Sequence, residues 1–146
     1  MLRLAGLFLL IVCAAAANAG AGAEESLAIR GYDPVAYFTL QRATPGTPRF
    51  EYSWDEHVYR FATAAHREAF IKDPVRYAPQ FANFCAVALS RGERQPVNPE
   101  YWLISDGKLY LFGKSAGPKL FAKDPSILER ANRNRALIRD ARTASQ

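Results

Sequence analysis

Cysteine and histidine are scarce in this chain: its 146 residues hold two of each, and a single methionine. Two thiols exclude a disulfide-rich scaffold and a metal site made wholly of thiolates, and two imidazoles leave very few nitrogen ligands. Long apolar runs are also missing. The one strongly apolar stretch, Leu4–Ala17, is too short for a comfortable membrane span, and the mean hydropathy is −0.17. No glycine-rich phosphate loop, G-x-S-x-G or H-E-x-x-H occurs, so no enzyme class marked by these motifs is indicated. What remains is ordinary for one globular domain, with 49% hydrophobic, 12% aromatic and 23% charged residues.

The N-terminus reads as an export signal. Arg3 precedes the apolar run, and Ala17-Asn18-Ala19 and Ala21-Gly22-Ala23 offer small-x-small cleavage patterns, so residues 1–23 are expected to be removed. Cys13 leaves with that segment and Cys85 is left as the one thiol of the exported chain, expected in the periplasm or outside the cell. An exported chain is a poor partner for nucleic acid. Its positive charge, 19 basic against 14 acidic residues overall, concentrates toward the C-terminus, where Arg130, Arg133, Arg135, Arg139 and Arg142 face only Glu129 and Asp140. Such a stripe is either a solvated helix face or a weak contact for an anionic membrane surface.

The chain repeats itself at an offset of 51 residues. Asp55, Tyr59, Phe61, Ala65, Phe70, Lys72, Asp73 and Pro74 match Asp106, Tyr110, Phe112, Ala116, Phe121, Lys123, Asp124 and Pro125 without a gap. In each copy, about 50–74 and 101–125, apolar residues two apart flank a turn pair, Asp55-Glu56 or Asp106-Gly107, which predicts a β-hairpin. A short helix should follow, capped by Thr63 in the first copy and Ser115 in the second, and Asp-Pro then starts another. The last of these is long and basic, over about 125–142. The spacing of Phe81, Phe84, Cys85, Ala88 and Leu89, closed by Gly92, predicts one more helix. The expected fold is α+β: one domain over 24–146, built from two β-hairpin/helix units whose strands join in one sheet, with a C-terminal helix.

The segments Ile29-Arg30-Gly31-Tyr32-Asp33-Pro34-Val35-Ala36-Tyr37-Phe38, Tyr59-Arg60-Phe61, Asp73-Pro74-x-x-Tyr77-Ala78-Pro79-Gln80, Phe84-Cys85-Ala86 and Asp106-Gly107-Lys108-Leu109-Tyr110-Leu111 occur in order. Together they resemble the exported YHS-domain proteins of bacteria, over roughly residues 29–125. The resemblance implies a small module distantly related to treble-clef metal-binding domains and found beside metal-handling proteins. The paired cysteines of the metal-binding relatives are absent here, and Ala82-Asn83 stands where the exported branch usually has Gly-Gly.

Two residues are candidate metal ligands. A Cys85 thiolate with an imidazole, from His66 or from His57, is a donor set that a copper(I) ion accepts. On the other reading Cys85 belongs to the apolar stripe of its helix, His66 packs at the domain edge, and His57 is a solvated turn residue. Asp33, in front of Pro34, is explained by capping a short helix. No acid/base pair is visible among the carboxylates, so no catalytic residue is expected. The sequence therefore points to a non-enzymatic exported binding protein of YHS type, its ligand a soft transition metal such as copper. The alternative is a metal-free module that meets an envelope protein or envelope surface.

Overall fold

The computed structural model describes residues 26–143, with side chains described as far as residue 136. The export signal expected over 1–23 lies outside the described residues, as do the side chains of Arg139 and Arg142. Two hairpins form the frame. In the first, β2 (Thr47–Trp54) and β3 (His57–Phe61) pair antiparallel with Tyr52 opposite Tyr59 and Trp54 opposite His57. In the second, β4 (Asn98–Ser105) and β5 (Lys108–Phe112) place Leu103 opposite Tyr110 and Ser105 opposite Lys108. Both turn pairs have positive φ, Asp55 at 48° and Glu56 at 64°, Asp106 at 49° and Gly107 at 69°, as a two-residue turn matched to the strand twist requires. Each hairpin breaks register once, and at equivalent places, between Thr47 and Glu51 and between Asn98 and Trp102.

The hairpins do not share a sheet, which corrects the expectation from sequence. The first belongs to a three-stranded sheet in the order β1-β3-β2, the second stands as a two-stranded sheet. At its β3 edge the first sheet is completed by β1 (Ser26–Leu27), which pairs in parallel with β3. A tight turn over Ala28–Gly31 follows, with Ile29 and Arg30 both left-handed. Its backbone is held from the second half of the chain: Asn83 Oδ1 accepts from Ile29 N–H at 2.7 Å and Asn83 Nδ2 donates to the Leu27 carbonyl at 3.2 Å.

The helices fall where the caps place them, with two exceptions. Thr63 Oγ1 accepts from His66 N–H at 3.1 Å and starts α2 (Ala64–Lys72), and Asp73 Oδ1 accepts from Arg76 N–H at 3.2 Å to start α3 (Pro74–Tyr77). In the second copy α5 (Gly117–Lys123) begins after Ala116 with no side-chain cap, so Ser115 does not play the part of Thr63. The helix expected over Phe81–Leu89 shrinks to α4 (Ala86–Leu89), because Ala82 takes φ +49° and Phe84 bridges to Pro96 in an extended segment. Ahead of the first hairpin lies α1 (Ala36–Thr39), and the chain closes with α6 (Ser126–Thr143), which packs along α4.

Strand β5 links two cores. Leu109 and Leu111 point into one with Tyr37, Tyr59, Phe61 and Phe70, and Tyr110 and Phe112 into the other with Phe81, Cys85, Leu89 and Phe121. Period-two alternation, which in a surface hairpin separates core from solvent, here separates one core from another. Tyr37 adds a direct tie: its hydroxyl donates to the Pro99 carbonyl at 2.9 Å and its ring meets Trp102 edge-on. Burial pushes the Tyr37 and Tyr59 phenols up, well above the usual tyrosine range.

Candidate functional site

The repeat extends further upstream than the sequence identities reach. Asp33 N–H donates to the Thr44 carbonyl at 2.9 Å, and Cys85 N–H donates to the Gln95 carbonyl at the same 2.9 Å. The neighbouring bridges, Tyr32 with Pro45 and Phe84 with Pro96, match in the same way. After each comes a one-turn helix, α1 or α4. Asp33 and Cys85 therefore occupy equivalent positions in the two copies, and by the 51-residue offset His66 corresponds to Gly117 and Ala62 to Gly113.

Asp33 is fully buried and saturated with donors. Its Oδ1 accepts from the N–H groups of Val35 at 2.8 Å and Ala36 at 3.2 Å, the cap expected from sequence. Its Oδ2 accepts from Ala62 N–H at 2.8 Å and meets His66 Nδ1 at 2.6 Å. Four partners make burial of a carboxylate affordable. His66 then reaches Thr39 Oγ1 through Nε2 at 3.2 Å, and that hydroxyl also lies 3.1 Å from the Val35 carbonyl. The chain carboxylate–imidazole–hydroxyl pins α1 to α2. The sequence shows the Asp33 cap but not its imidazole partner, which stands 33 positions away.

Cys85 solves the same position without polarity. It is 4% exposed and belongs to the core of Phe81, Ala86, Leu89 and Phe112. A Cβ on Gly113 would come within 2.9 Å of the Pro96 carbonyl oxygen and 3.7 Å of the Cys85 Cβ, so glycine stands where Ala62 donates to Asp33 in the first copy. The two candidate metal ligands thus stand at non-equivalent positions of different copies, Cys85 in the second core and His66 with both ring nitrogens engaged in the first. His57 sits at its hairpin turn with Nδ1 2.7 Å from the Asp55 carbonyl oxygen. Among the described residues no group of three or more His, Cys, Asp and Glu side chains is gathered as a metal ion would need.

The basic C-terminal helix is less free than its composition suggests. Arg133 Nη1 pairs with Glu129 Oε1, Arg130 reaches Asp124 and Ser126, and Arg135 reaches the Gln80 carbonyl with its guanidinium over the Phe81 ring. The Ser126 hydroxyl and the Arg130 guanidinium hold the Asp124 carboxyl below the usual carboxylate range.

What the first copy leaves open is its helical layer. There α1 meets α2 through Thr39 and His66, and α3 through the edge-on rings of Phe38 and Tyr77, 5.4 Å apart. Leu40, Ile71 and Val75 stand exposed on this layer, Val75 at 71%. At the corresponding places of the second copy stand Ala122, also exposed, and Ser126, the first residue of α6; α6 lies along α4, and Leu120 on α5 is itself exposed. Among the described residues no helix is long and apolar enough to cross a membrane. Comparison with models of known protein families gives no match, and neither do comparisons with curated proteins and with solved structures.

Proposed function

We propose that this chain is an exported, non-enzymatic binding module of YHS type that recognises a partner protein of the cell envelope through the helical layer of its first repeat. The observation that carries this reading is the exposure of Leu40, Ile71 and Val75 on α1–α3, elements otherwise tied down by the Asp33–His66–Thr39 chain. Apolar side chains held outward by a rigid frame favour a preformed contact surface, because little ordering entropy is left to lose on binding. Of the two readings open at the level of sequence, this one is favoured over a soft-metal carrier, since Cys85 is spent on packing and His66 on Asp33.

Site-specific photocrosslinking in the producing cell tests it. A photoreactive residue at Val75 or Leu40 should give a discrete heterologous adduct, and the same residue at Lys108, exposed at the opposite hairpin turn, should give none. Equal adducts at all three positions, or none at any, would refute it.

A further inference from the structure

We propose that α5, with Lys114 ahead of it, is a peripheral contact for the anionic surface of a lipid bilayer. This goes beyond the partner-binding reading above and rests on other residues, those of the second repeat.

The two sides of α5 differ. Gly117 and Phe121 are buried, the Phe121 ring 4.6 Å from that of Tyr110 and 5.6 Å from that of Phe112. Ala116, Lys119, Leu120 and Lys123, at i, i+3, i+4 and i+7, form one stripe away from that core, and all four are exposed. Lys114 stands exposed just before it. Between Asp106 and Asp124 the chain has no acidic residue. Among the described residues none of these lysines is in an ion pair. The carboxylates at hand are Asp124, already held by Ser126 and Arg130, and Glu100 of β4, the strand against which α5 packs. Three ammonium groups thus accompany one exposed leucine, and the balance of charge is positive.

The first repeat shows that the fold does not demand this stripe. At the equivalent places in and before α2 are Thr63, Ala65, Glu68, Ala69 and Lys72. Thr63 caps its helix, Glu68 lies 3.5 Å from Arg67, and half-buried Ala69 packs against the core. Where these stand, the second copy has Lys114, Lys119 and Leu120, with no cap or ion pair made by any of the three. Hairpin and helix form with either set, so the second copy carries two further cations and a large apolar side chain that its folding does not use.

Charge sets the sign of the contact, and size sets its kind. A stable protein interface takes about 20–30 residues a side, against the four of this stripe. A bilayer needs no matching shape. Lysine stems lie along its headgroup region with their ammonium groups at the lipid phosphates, while the leucine between them reaches the acyl boundary.

Cosedimentation with lipid vesicles tests the proposal, using the chain as isolated from the producing cell and vesicles of phosphatidylcholine, alone or mixed equally with phosphatidylglycerol. Binding is expected with the anionic vesicles only, and it should fall as salt is added. Lys119→Glu and Lys123→Glu should each weaken it about fivefold or more and Leu120→Ser about fivefold, with near-ultraviolet circular dichroism confirming an intact fold. Lys72→Glu makes the same change of net charge at the first-copy equivalent of Lys123 and should alter binding less than about twofold. Equal sedimentation with both kinds of vesicle, or none with either, overturns the proposal. So does a loss in Lys72→Glu that matches Lys123→Glu, which would report net charge alone, and so does full binding by Leu120→Ser, which would report attraction to a polyanion without apolar contact. Crosslinking at Val75 concerns the other repeat: its failure leaves the bilayer contact standing, and failure of the vesicles leaves the partner-binding reading standing.

Discussion

The two repeats share hairpin register, turn type, bulge position and Asp-Pro caps, yet they settle one equivalent position in opposite ways. Asp33 fills it with a buried carboxylate and four donors, Cys85 with a small apolar side chain and its neighbours. The polar solution fixes helix directions through directional bonds but must be complete, because each unpaired donor left in the interior carries a desolvation cost. The apolar solution tolerates more and specifies less. In the repeat with the polar network α1 is tied to α2 by that network, and in the repeat with the thiol α4 lies against α6. A face that must hold its shape without a covering helix benefits from bonds that fix that shape from beneath.

Aromatic truncation should separate the copies most. Phe70 meets Tyr52, Trp54, Tyr59 and Phe61, whereas Phe121 meets Tyr110 and Phe112. In urea unfolding Phe70→Ala is expected to cost about 4–5 kcal/mol and Phe121→Ala about 3 kcal/mol. Next comes the equivalent pair itself. Asp33→Ala strands the N–H groups of Val35, Ala36 and Ala62 and an imidazole and should cost about 3–5 kcal/mol, while Cys85→Ala should cost about 1 kcal/mol. Equal losses would mean that the shared geometry hides no difference in mechanism.

A smaller effect belongs to Gly117, the counterpart of His66. A Cβ there would come within 2.5 Å of the buried Phe112 side chain, so Gly117→Ala should destabilise by about 1–3 kcal/mol despite the better helix propensity of alanine. A stabilised variant would show that Phe112 can yield. The Asp-Pro caps offer a pH test: Asp124 has its folded-state pKa lowered by Ser126 and Arg130, so its contribution to stability is present above the ordinary carboxylate range of about pH 4 and is lost as the pH falls through the lower folded value. Asp124→Asn should therefore flatten the acid limb of the stability profile, and an unchanged limb would show that the cap is not linked to protonation. The smallest expected response is none. Copper(I) titrated against a competing chelator should find no stoichiometric site that Cys85→Ala or His66→Ala removes, and a site lost in both would restore the soft-metal reading.

Local chemistry made much of this fold legible in the sequence. The hairpins follow from apolar residues two apart around Asp55-Glu56 and Asp106-Gly107, the helix starts from Thr63, Asp73 and Asp124, and the long last helix from Ile127, Leu128 and Ala131 at helical spacing. What was hidden depends on distant parts of the chain. The contact of Asp33 with His66 leaves no periodic trace, and the equivalence of Asp33 with Cys85 leaves no identity, being shifted by one residue from the offset of the hairpins. The strand β1, of two residues, is too short to announce itself. The broken helix before Ala86 follows from a left-handed Ala82, a conformation that alanine does not signal.

With Leu109 and Leu111 on one side of β5 and Tyr110 and Phe112 on the other, neither repeat can open without stripping a wall from its neighbour. Duplicated modules are often imagined as beads that melt one at a time, but here the bead boundary runs through a strand. The chain should unfold in one cooperative transition, with the slowest amide exchange in β5 and with a denaturant dependence that reports the surface of both repeats together.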